Sequence, residues 1–133
     1  MIEDLGCKKE DLMHFLRHFS NGITHILILW IISRGRIHGY GIMSKLDEFF
    51  EYQIQNDLMK KTSASKIYPI LNRFENGELI KGDWEEKDNK QVKYYEITEK
   101  GEKVLDFIRN KPKLMTSNNS WKEFFDDMKA GEA

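Results

Sequence analysis

Apolar residues recur at helical spacing near the start of the chain. Four of them share one face of a segment near residues 9–19: Leu12, Phe15, Leu16 and Phe19. This spacing predicts a short amphipathic helix, after which Ser20 is able to cap a second helix over residues 23–33. Residues 26–32 are all apolar, however, and such a run is equally compatible with a buried strand.

The middle of the chain predicts two further helices. Apolar residues share one face over residues 38–50, and the polar residues 51–61 then predict a connecting loop. Ser63 offers an N-cap and Gly77 a stop signal for the next helix. Pro69 lies inside this helix, where it removes a backbone donor and clashes with the preceding turn. On local sequence alone, we expect a kink or a break there.

The pattern then changes period. Residues 79–84 and 92–97 are strand-like runs, and the polar residues 85–91 between them contain turn formers, which predicts a β-hairpin. Thr98 is able to cap a following helix, which Pro112 ends.

A polar linker over residues 116–119 precedes a last short helix. Ser120 and Glu123 have capping-box spacing. The apolar face of this helix consists of four residues: Trp121, Phe124, Phe125 and Met128. The predicted fold class is therefore mainly α with a small β-hairpin, a winged helix-turn-helix with N- and C-terminal accessory helices.

Composition limits the classes of function. The 133 residues suit one domain with accessory helices. The 21 basic and 22 acidic side chains leave a net charge of −1, which excludes an indiscriminate polyanion binder. Cys7 is the only cysteine, so the sequence predicts no disulfide framework. Glu3 and Asp4 are unlike the basic start of a secretory signal, and the unbroken apolar run is too short to span a bilayer. We expect a soluble, cytoplasmic protein.

The sequence offers little for catalysis. It contains no nucleophile elbow, nucleotide-binding loop or zinc-protease motif. His14 and His18 are four residues apart, as a metal pair on a helix is, but no third ligand accompanies them. We therefore predict no catalytic residue, no metal and no cofactor.

One segment, residues 59–74, carries a strong excess of positive charge. It holds no acid and therefore has a local charge of +4, from four cations: Lys60, Lys61, Lys66 and Arg73. Hydroxyls of Ser63 and Ser65 at the start of the predicted helix are able to donate to phosphate, and Asn72 lies away from its apolar face. A solvated basic face explains the same composition about equally well. The hairpin adds Lys90 and Lys93 among several acids, which alone is weak evidence.

Three motifs in order and in register resemble the PadR family of transcriptional regulators. They are HGYG at residues 38–41, SASKIYPILNRFENGELI at residues 63–80 and KYYEITEKG at residues 93–101. The family pattern is an HGY turn, then S-x-x-T-L-Y-P-x-L-x-R-L-E-x-x-G-L-I, then R-K-Y-Y-x-L-T-x-x-G. The resemblance covers roughly residues 23–108 and departs from the pattern at Ser65, Lys66 and Val92, which bears on the DNA sequence preferred more than on function.

The resemblance implies a structure and a set of DNA contacts. It makes residues 26–32 the first helix of the winged domain and carries the recognition helix through Pro69. It implies a packing role for Tyr68. The residues implied to face DNA lie in the second helix, the recognition helix and the wing: Tyr40, Ser63, Ser65, Lys66, Asn72, Arg73, Lys90 and Lys93. The positive charge of residues 59–74 adds Lys61 to the expected DNA-binding residues.

Family members are dimers held by helices outside the winged domain, which here implies residues 9–19, 98–111 and 120–129. An isologous dimer would read a palindrome-like operator on double-stranded DNA. A small aromatic effector is also implied, and the residues expected in its pocket or in the dimer interface are aromatic: Phe15, Phe19, Trp121, Phe124 and Phe125.

We therefore expect an accessory helix in residues 1–20, a DNA-binding domain in residues 21–98 and dimerisation helices in residues 99–133. The expected function is a homodimeric, sequence-specific transcriptional regulator, a repressor released by an effector. Two alternatives lack DNA binding. One is a winged protein-interaction module, favoured by the mixed charge of the wing, and the other is an aromatic-ligand carrier built on the last helix.

Overall fold

The computed structural model describes residues 8–110 and 117–129. Their helices and strands follow one another in this order: α1 (Lys9–Ser33), β1 (Ile37–His38), α2 (Gly39–Phe49), α3 (Glu51–Gln55), α4 (Ala64–Asn76), β2 (Ile80–Lys87), β3 (Lys90–Ile97), α5 (Glu99–Asn110) and α6 (Asn119–Met128). The strands form one antiparallel sheet in the order β1-β3-β2. The predicted fold class, mainly α with a small hairpin, is confirmed.

Helix α1 is one continuous helix of 25 residues, so the predicted break at Ser20 is wrong. Ser20 is buried, and its Oγ donates to the carbonyl of Arg17 at 3.0 Å instead of capping a new helix. Thr24 is also buried and donates to the carbonyl of Ser20. Hydroxyls bonded back to the preceding turn are satisfied inside a helix. The predicted boundary between residues 20 and 21 falls within this helix.

The second half of α1 is a core helix, not a strand. Four of its side chains are at most 4% exposed: Ile28, Leu29, Ile31 and Ile32. They pack with Ile42 and Leu46 of α2 and with the buried face of α4. Although α1 is long and apolar enough to cross a membrane by length and composition, the burial of these side chains is that of a core helix in a folded domain.

Residues 51–61 are only partly the loop that their polarity predicts. Residues Glu51–Gln55 form α3, in which Gln55 Nε2 donates to Glu51 Oε1 at 3.2 Å. Asp57 then adopts a positive φ of 56°, and Leu58, 4% exposed, anchors the rest of the segment to the core. Polar residues without Gly or Pro do not prevent a helical turn, which is why polarity alone predicted the wrong structure.

Helix α4 begins after Ser63 and ends at Gly77, as predicted, and it runs through Pro69 without interruption. A proline inside a helix costs about 3 kcal/mol. Opposite the exposed proline, four side chains of α4 are buried: Ile67, Ile70, Leu71 and Phe74. Each such burial contributes roughly 1.5–3 kcal/mol, so core packing outweighs the local penalty, and the break expected from the proline does not occur.

The hairpin is longer than its sequence pattern predicts. Strands β2 and β3 pair from Ile80 with Ile97 to Lys87 with Lys90, so the connection is Asp88 and Asn89 alone, not residues 85–91. Both turn residues have positive φ, 52° and 64°, as a tight two-residue hairpin turn requires. Residues 85–87 of β2 are exposed. They pair with β3 without the alternation of apolar and polar residues that predicts a strand, which is why the sequence pattern missed them.

Thr98 caps α5 as predicted, since its Oγ1 accepts from the backbone N–H of Gly101 at 3.1 Å. Pro112, expected to end this helix, lies outside the described residues, as does Thr116 of the predicted linker. Helix α6 starts one residue earlier than predicted. Asn118 is its N-cap and accepts from the N–H of Trp121 at 3.1 Å, so the capping box of Ser120 and Glu123 is wrong.

Candidate nucleic-acid interface

Helix α4 presents a polar face opposite its buried one. Ser63 and Ser65 at its start are exposed, and their hydroxyl oxygens lie 3.0 Å apart. Asn72 and Arg73 are exposed two turns further on. The apolar positions of α4 fix the phase of the helix, and this phase turns hydroxyl, amide and guanidinium groups outwards, where they are able to meet phosphates and base edges.

A cleft of about 540 Å³ lies on one side of α4, between this helix and the wing formed by β2 and β3. Tyr40, Tyr68 and Asn72 line it from the helices, and Trp84 and Gln91 line it from the wing. Tyr40 is 70% exposed and Tyr68 is 39% exposed. The cleft therefore combines aromatic surfaces with amides that are able to donate and accept hydrogen bonds.

Gly39 allows the start of α2 to approach α4. A Cβ atom on Gly39 would lie 2.4 Å from the hydroxyl oxygen of Tyr68. The glycine of the HGYG motif thus accommodates the Tyr68 ring, which packs on α2 while part of it stays accessible. This contact positions Tyr40, the next residue, beside the cleft.

On the other side of α4, the chain between α3 and α4 carries Lys60 and Lys61, both exposed. The N–H of Thr62 donates to Asp47 Oδ1 at 2.8 Å, which fixes this segment to α2. Lys66 is half-buried, and desolvation lowers the pKa of its ammonium group from the usual value. Lys61 and Lys66 are thus brought to the start of α4 beside Ser63.

The two wing lysines predicted to face DNA have different surroundings. Lys90 is exposed next to the hairpin turn. The Nζ of Lys93 lies 2.7 Å from Glu75 Oε1, and both side chains are about three-quarters buried, at 23% and 24% exposed. Lys93 is therefore directed towards the end of α4, whereas Lys90 is available to a partner.

Sequence reasoning missed a cluster on the wing. The guanidinium carbon of Arg36 lies 4.1 Å from the centre of the Tyr94 ring, and Arg36 also pairs with Glu85. Lys87 donates to the Tyr94 hydroxyl at 3.1 Å, a bond that raises the pKa of Lys87. Arg36 and Glu85 are 49 residues apart, and the short strand β1, which pairs His38 with Tyr94, has no recognisable sequence signal.

The aromatic residues predicted for an effector pocket or dimer interface fall into two groups. Phe15 on α1 is 73% exposed, and the side chain of Phe19 lies outside the described part of the structure. On α6, Trp121, Phe124 and Phe125 contact one another, with ring centres 5.4–6.2 Å apart. Phe124 is 52% exposed, whereas Trp121 and Phe125 are partly buried.

A second apolar surface was not predicted. It is a groove of about 330 Å³ formed by side chains of α1, α2 and α5: Ile26, Leu27, Trp30, Phe49, Leu105 and Ile108. Ile26, Trp30 and Phe49 are 37–45% exposed.

No metal centre is evident within residues 8–110 and 117–129, where no three His, Cys, Asp or Glu residues could hold an ion together. The rings of His14 and His18 lie 4.4 Å apart on α1.

Comparison with protein families found a match to the transcriptional regulator PadR-like family over residues 28–106. Comparison with curated protein sequences found no match. Among solved structures, a PadR-like transcriptional regulator from Bacillus cereus is 27% identical, with a TM-score of 0.59 over 75% of this chain and 90% of that one. A PadR family transcriptional regulator from Eggerthella lenta is 20% identical, with a TM-score of 0.64 over 90% of this chain and 89% of that one. At that lower identity, the likeness supports the fold alone.

Proposed function

Because the chain belongs to the PadR-like family of transcriptional regulators, we propose that it is a cytoplasmic homodimer that binds operator DNA and represses transcription until a small-molecule effector releases it. The observation that carries this proposal is the exposed polar face of α4, which has lysines at its start and the wing cleft beside it. The proposal assigns the chain no catalytic activity, metal or cofactor.

In this proposal, α4 enters the major groove of the duplex. Lys61, Ser63, Ser65 and Lys66 contact phosphates at the start of α4, where the partial positive charge of the helix also favours anions. Asn72 and Arg73, further along the exposed face, are suited to base edges, since amides pair with adenine and guanidinium groups with guanine. Tyr40 lines the wing cleft together with Asn72.

The wing supplies the remaining contacts in the proposal. Lys90 meets the DNA backbone next to the hairpin turn. Lys93 would have to break its ion pair with Glu75, 2.7 Å away, before it could contact the DNA backbone. We therefore propose that Lys93 mainly holds the wing against the end of α4. The net charge of −1 is then a sum over unlike parts, since residues 59–74 hold four cations and no acid while the wing mixes both charges.

We expect the affinity of the protein for duplex DNA of mixed sequence to fall steeply with salt, because each phosphate contact releases counterions and adds about −0.9 to the logarithmic salt slope. Fluorescence anisotropy of a labelled duplex across a salt series measures this slope. A flat profile, or no binding at about 50 mM salt, would contradict DNA binding and favour the protein-interaction or ligand-carrier alternatives.

The proposed dimer rests on apolar surface that the described chain leaves uncovered. The aromatic face of α6 and the groove around Trp30 and Phe49 are both exposed to solvent, and uncovered apolar surface of this kind marks an interaction site. A palindrome-like operator would require the two α4 helices of such a dimer to lie about 34 Å apart. A small aromatic effector is proposed to bind among the same aromatic residues and to change this spacing.

We expect the double substitution Phe124→Ser and Phe125→Ser to raise the dimer dissociation constant at least about a hundredfold, because buried aromatic side chains contribute most of the energy of an interface. Sedimentation velocity over a concentration series measures this constant. The matched control is Lys122→Ser with Glu123→Ser, two exposed residues of the same helix. A wild-type dissociation constant for the Phe124→Ser and Phe125→Ser variant would show that this face of α6 lies outside the interface.

A further inference from the structure

A second groove, of about 380 Å³, separates the first half of α1 from the start of α4. Met13, Arg17 and Asn21 form its wall on α1, and residues 58–63 form the opposite wall. Lys66 contributes from α4 itself. The groove therefore joins α1, whose first half the sequence assigned to the dimer interface or an effector pocket, with the helix proposed to read DNA.

The side chains of this groove are strongly basic. No lining residue is acidic, and four are cations: Arg17, Lys60, Lys61 and Lys66. Within the described residues, none of the four forms an ion pair with a carboxylate. A charge of +4 in so small a space creates a local field that attracts an anion, although the whole chain is almost neutral.

Several contacts fix the shape of the groove. Leu58 is buried, and its N–H donates to the carbonyl of Gln53 at 2.9 Å. Thr62 is held by Asp47, and buried Ser20 closes the wall of α1. Apolar side chains of Met13 and Met59 lie among the cations, and low-dielectric walls strengthen the field between them. Desolvation lowers the pKa of Lys66, a cost that a bound anion would offset.

We propose that this groove binds a phosphate of the DNA backbone, with the guanidinium of Arg17 as a ligand supplied by α1. The inference rests on the proposed function, because Ser63 and Lys66 belong both to the groove and to the start of α4. A duplex with α4 in its major groove runs its backbone past the start of that helix. Arginine is suited to this contact because its planar fork binds phosphate through two parallel hydrogen bonds.

The occupant could instead be free inorganic phosphate, since the recognised group is the same. Duplex DNA is favoured because the groove is continuous with the exposed face of α4 and opens along it through Lys61, Ser63 and Lys66. Because a contact to phosphate carries no information about the bases, Arg17 would contribute affinity without sequence preference.

The test is Arg17→Ala, measured by fluorescence anisotropy on a mixed-sequence duplex over a salt series. We expect binding about tenfold weaker at 50 mM salt, and a salt slope smaller by about 1.8 for a dimer that loses two phosphate contacts. Arg17→Lys should recover part of the affinity, because it keeps the charge but not the fork. The matched control is Lys103→Ala, which removes one exposed positive charge from α5, outside the groove.

The outcomes separate this inference from the proposed function. If the wild-type protein binds no duplex, the proposed function fails. If it binds and Arg17→Ala behaves as Lys103→Ala does, the phosphate site is wrong and the function stands.

Inorganic phosphate, titrated at constant ionic strength and followed by thermal shift, tests whether the groove binds a free anion instead of DNA. Stabilisation that depends on Arg17, with unchanged DNA affinity in Arg17→Ala, would assign the groove to a free anion and overturn the proposal. Circular dichroism and sedimentation check that each variant is folded and dimeric.

Discussion

Substitution of Gly101 by alanine is expected to lower the free energy of unfolding by about 3 kcal/mol, at the upper end of the usual cost of overpacking. A Cβ atom at this position would lie 2.2 Å from the carbonyl oxygen of Leu79 and 2.7 Å from Cγ1 of Ile97. The Leu79 oxygen is backbone and accepts from the N–H of Thr98 at 3.0 Å. It cannot move away without disturbing the cap of α5 and the base of the hairpin. Urea denaturation followed by circular dichroism measures the change.

Gly22→Ala is the matched control, because it adds the same atoms inside another helix. A Cβ atom on Gly22 would meet no other atom within 4 Å. Alanine should therefore raise the free energy of unfolding by about 0.5–1 kcal/mol, since it favours the helical backbone over the unfolded chain. The two identical substitutions are thus expected to have opposite signs. A Gly101→Ala variant as stable as wild type would show that α5 does not pack on Leu79 as described.

The elements that bury one face and expose the other were predictable from sequence. Helices α2 and α4 and the pairing of β2 with β3 all follow from the positions of apolar residues, and the family resemblance placed them in order. Local signals were less reliable. Ser20 has the chemistry of an N-cap, but it is buried in α1 and bonded to the preceding turn. Pro69 should interrupt a helix, but the buried face of α4 outweighs its cost. In both cases, contacts distant in sequence decide the local structure.

In the candidate site, too, some features were predictable from sequence and others were not. The exposure of Ser65, Asn72 and Arg73 was predictable because the apolar face of α4 sets the direction of these side chains. The partner of Lys93 was not, since Glu75 is 18 residues away and belongs to another element. Arg17 falls within the separate short helix that the sequence predicted near residues 9–19, and the continuous α1 brings it beside Lys60 and Lys61. Charge patterns along a chain identify cations, but the fold decides which of them share a surface.

The double substitution Lys66→Ala and Arg73→Ala is expected to weaken binding to duplex DNA about a hundredfold or more at 50 mM salt, because charged contacts to phosphate dominate such affinities. In a homodimer the change removes four cations from the two α4 helices. Each lost phosphate contact should reduce the salt slope by about 0.9. Both side chains lie outside the buried face of α4, so the free energy of unfolding and the dimer dissociation constant should stay close to wild type.

Lys81→Ala with Lys103→Ala is the control, since it removes the same charge from two exposed side chains, 63% and 76% accessible, on β2 and α5. General electrostatic attraction would weaken both variants equally, whereas contacts at α4 predict a large loss only for Lys66→Ala with Arg73→Ala. Anisotropy of a labelled duplex, with sedimentation of the free proteins, measures affinity and assembly separately. Loss of DNA binding together with loss of the dimer would mean that α4 belongs to the subunit interface, and equal affinity of the two variants would place the DNA contact elsewhere.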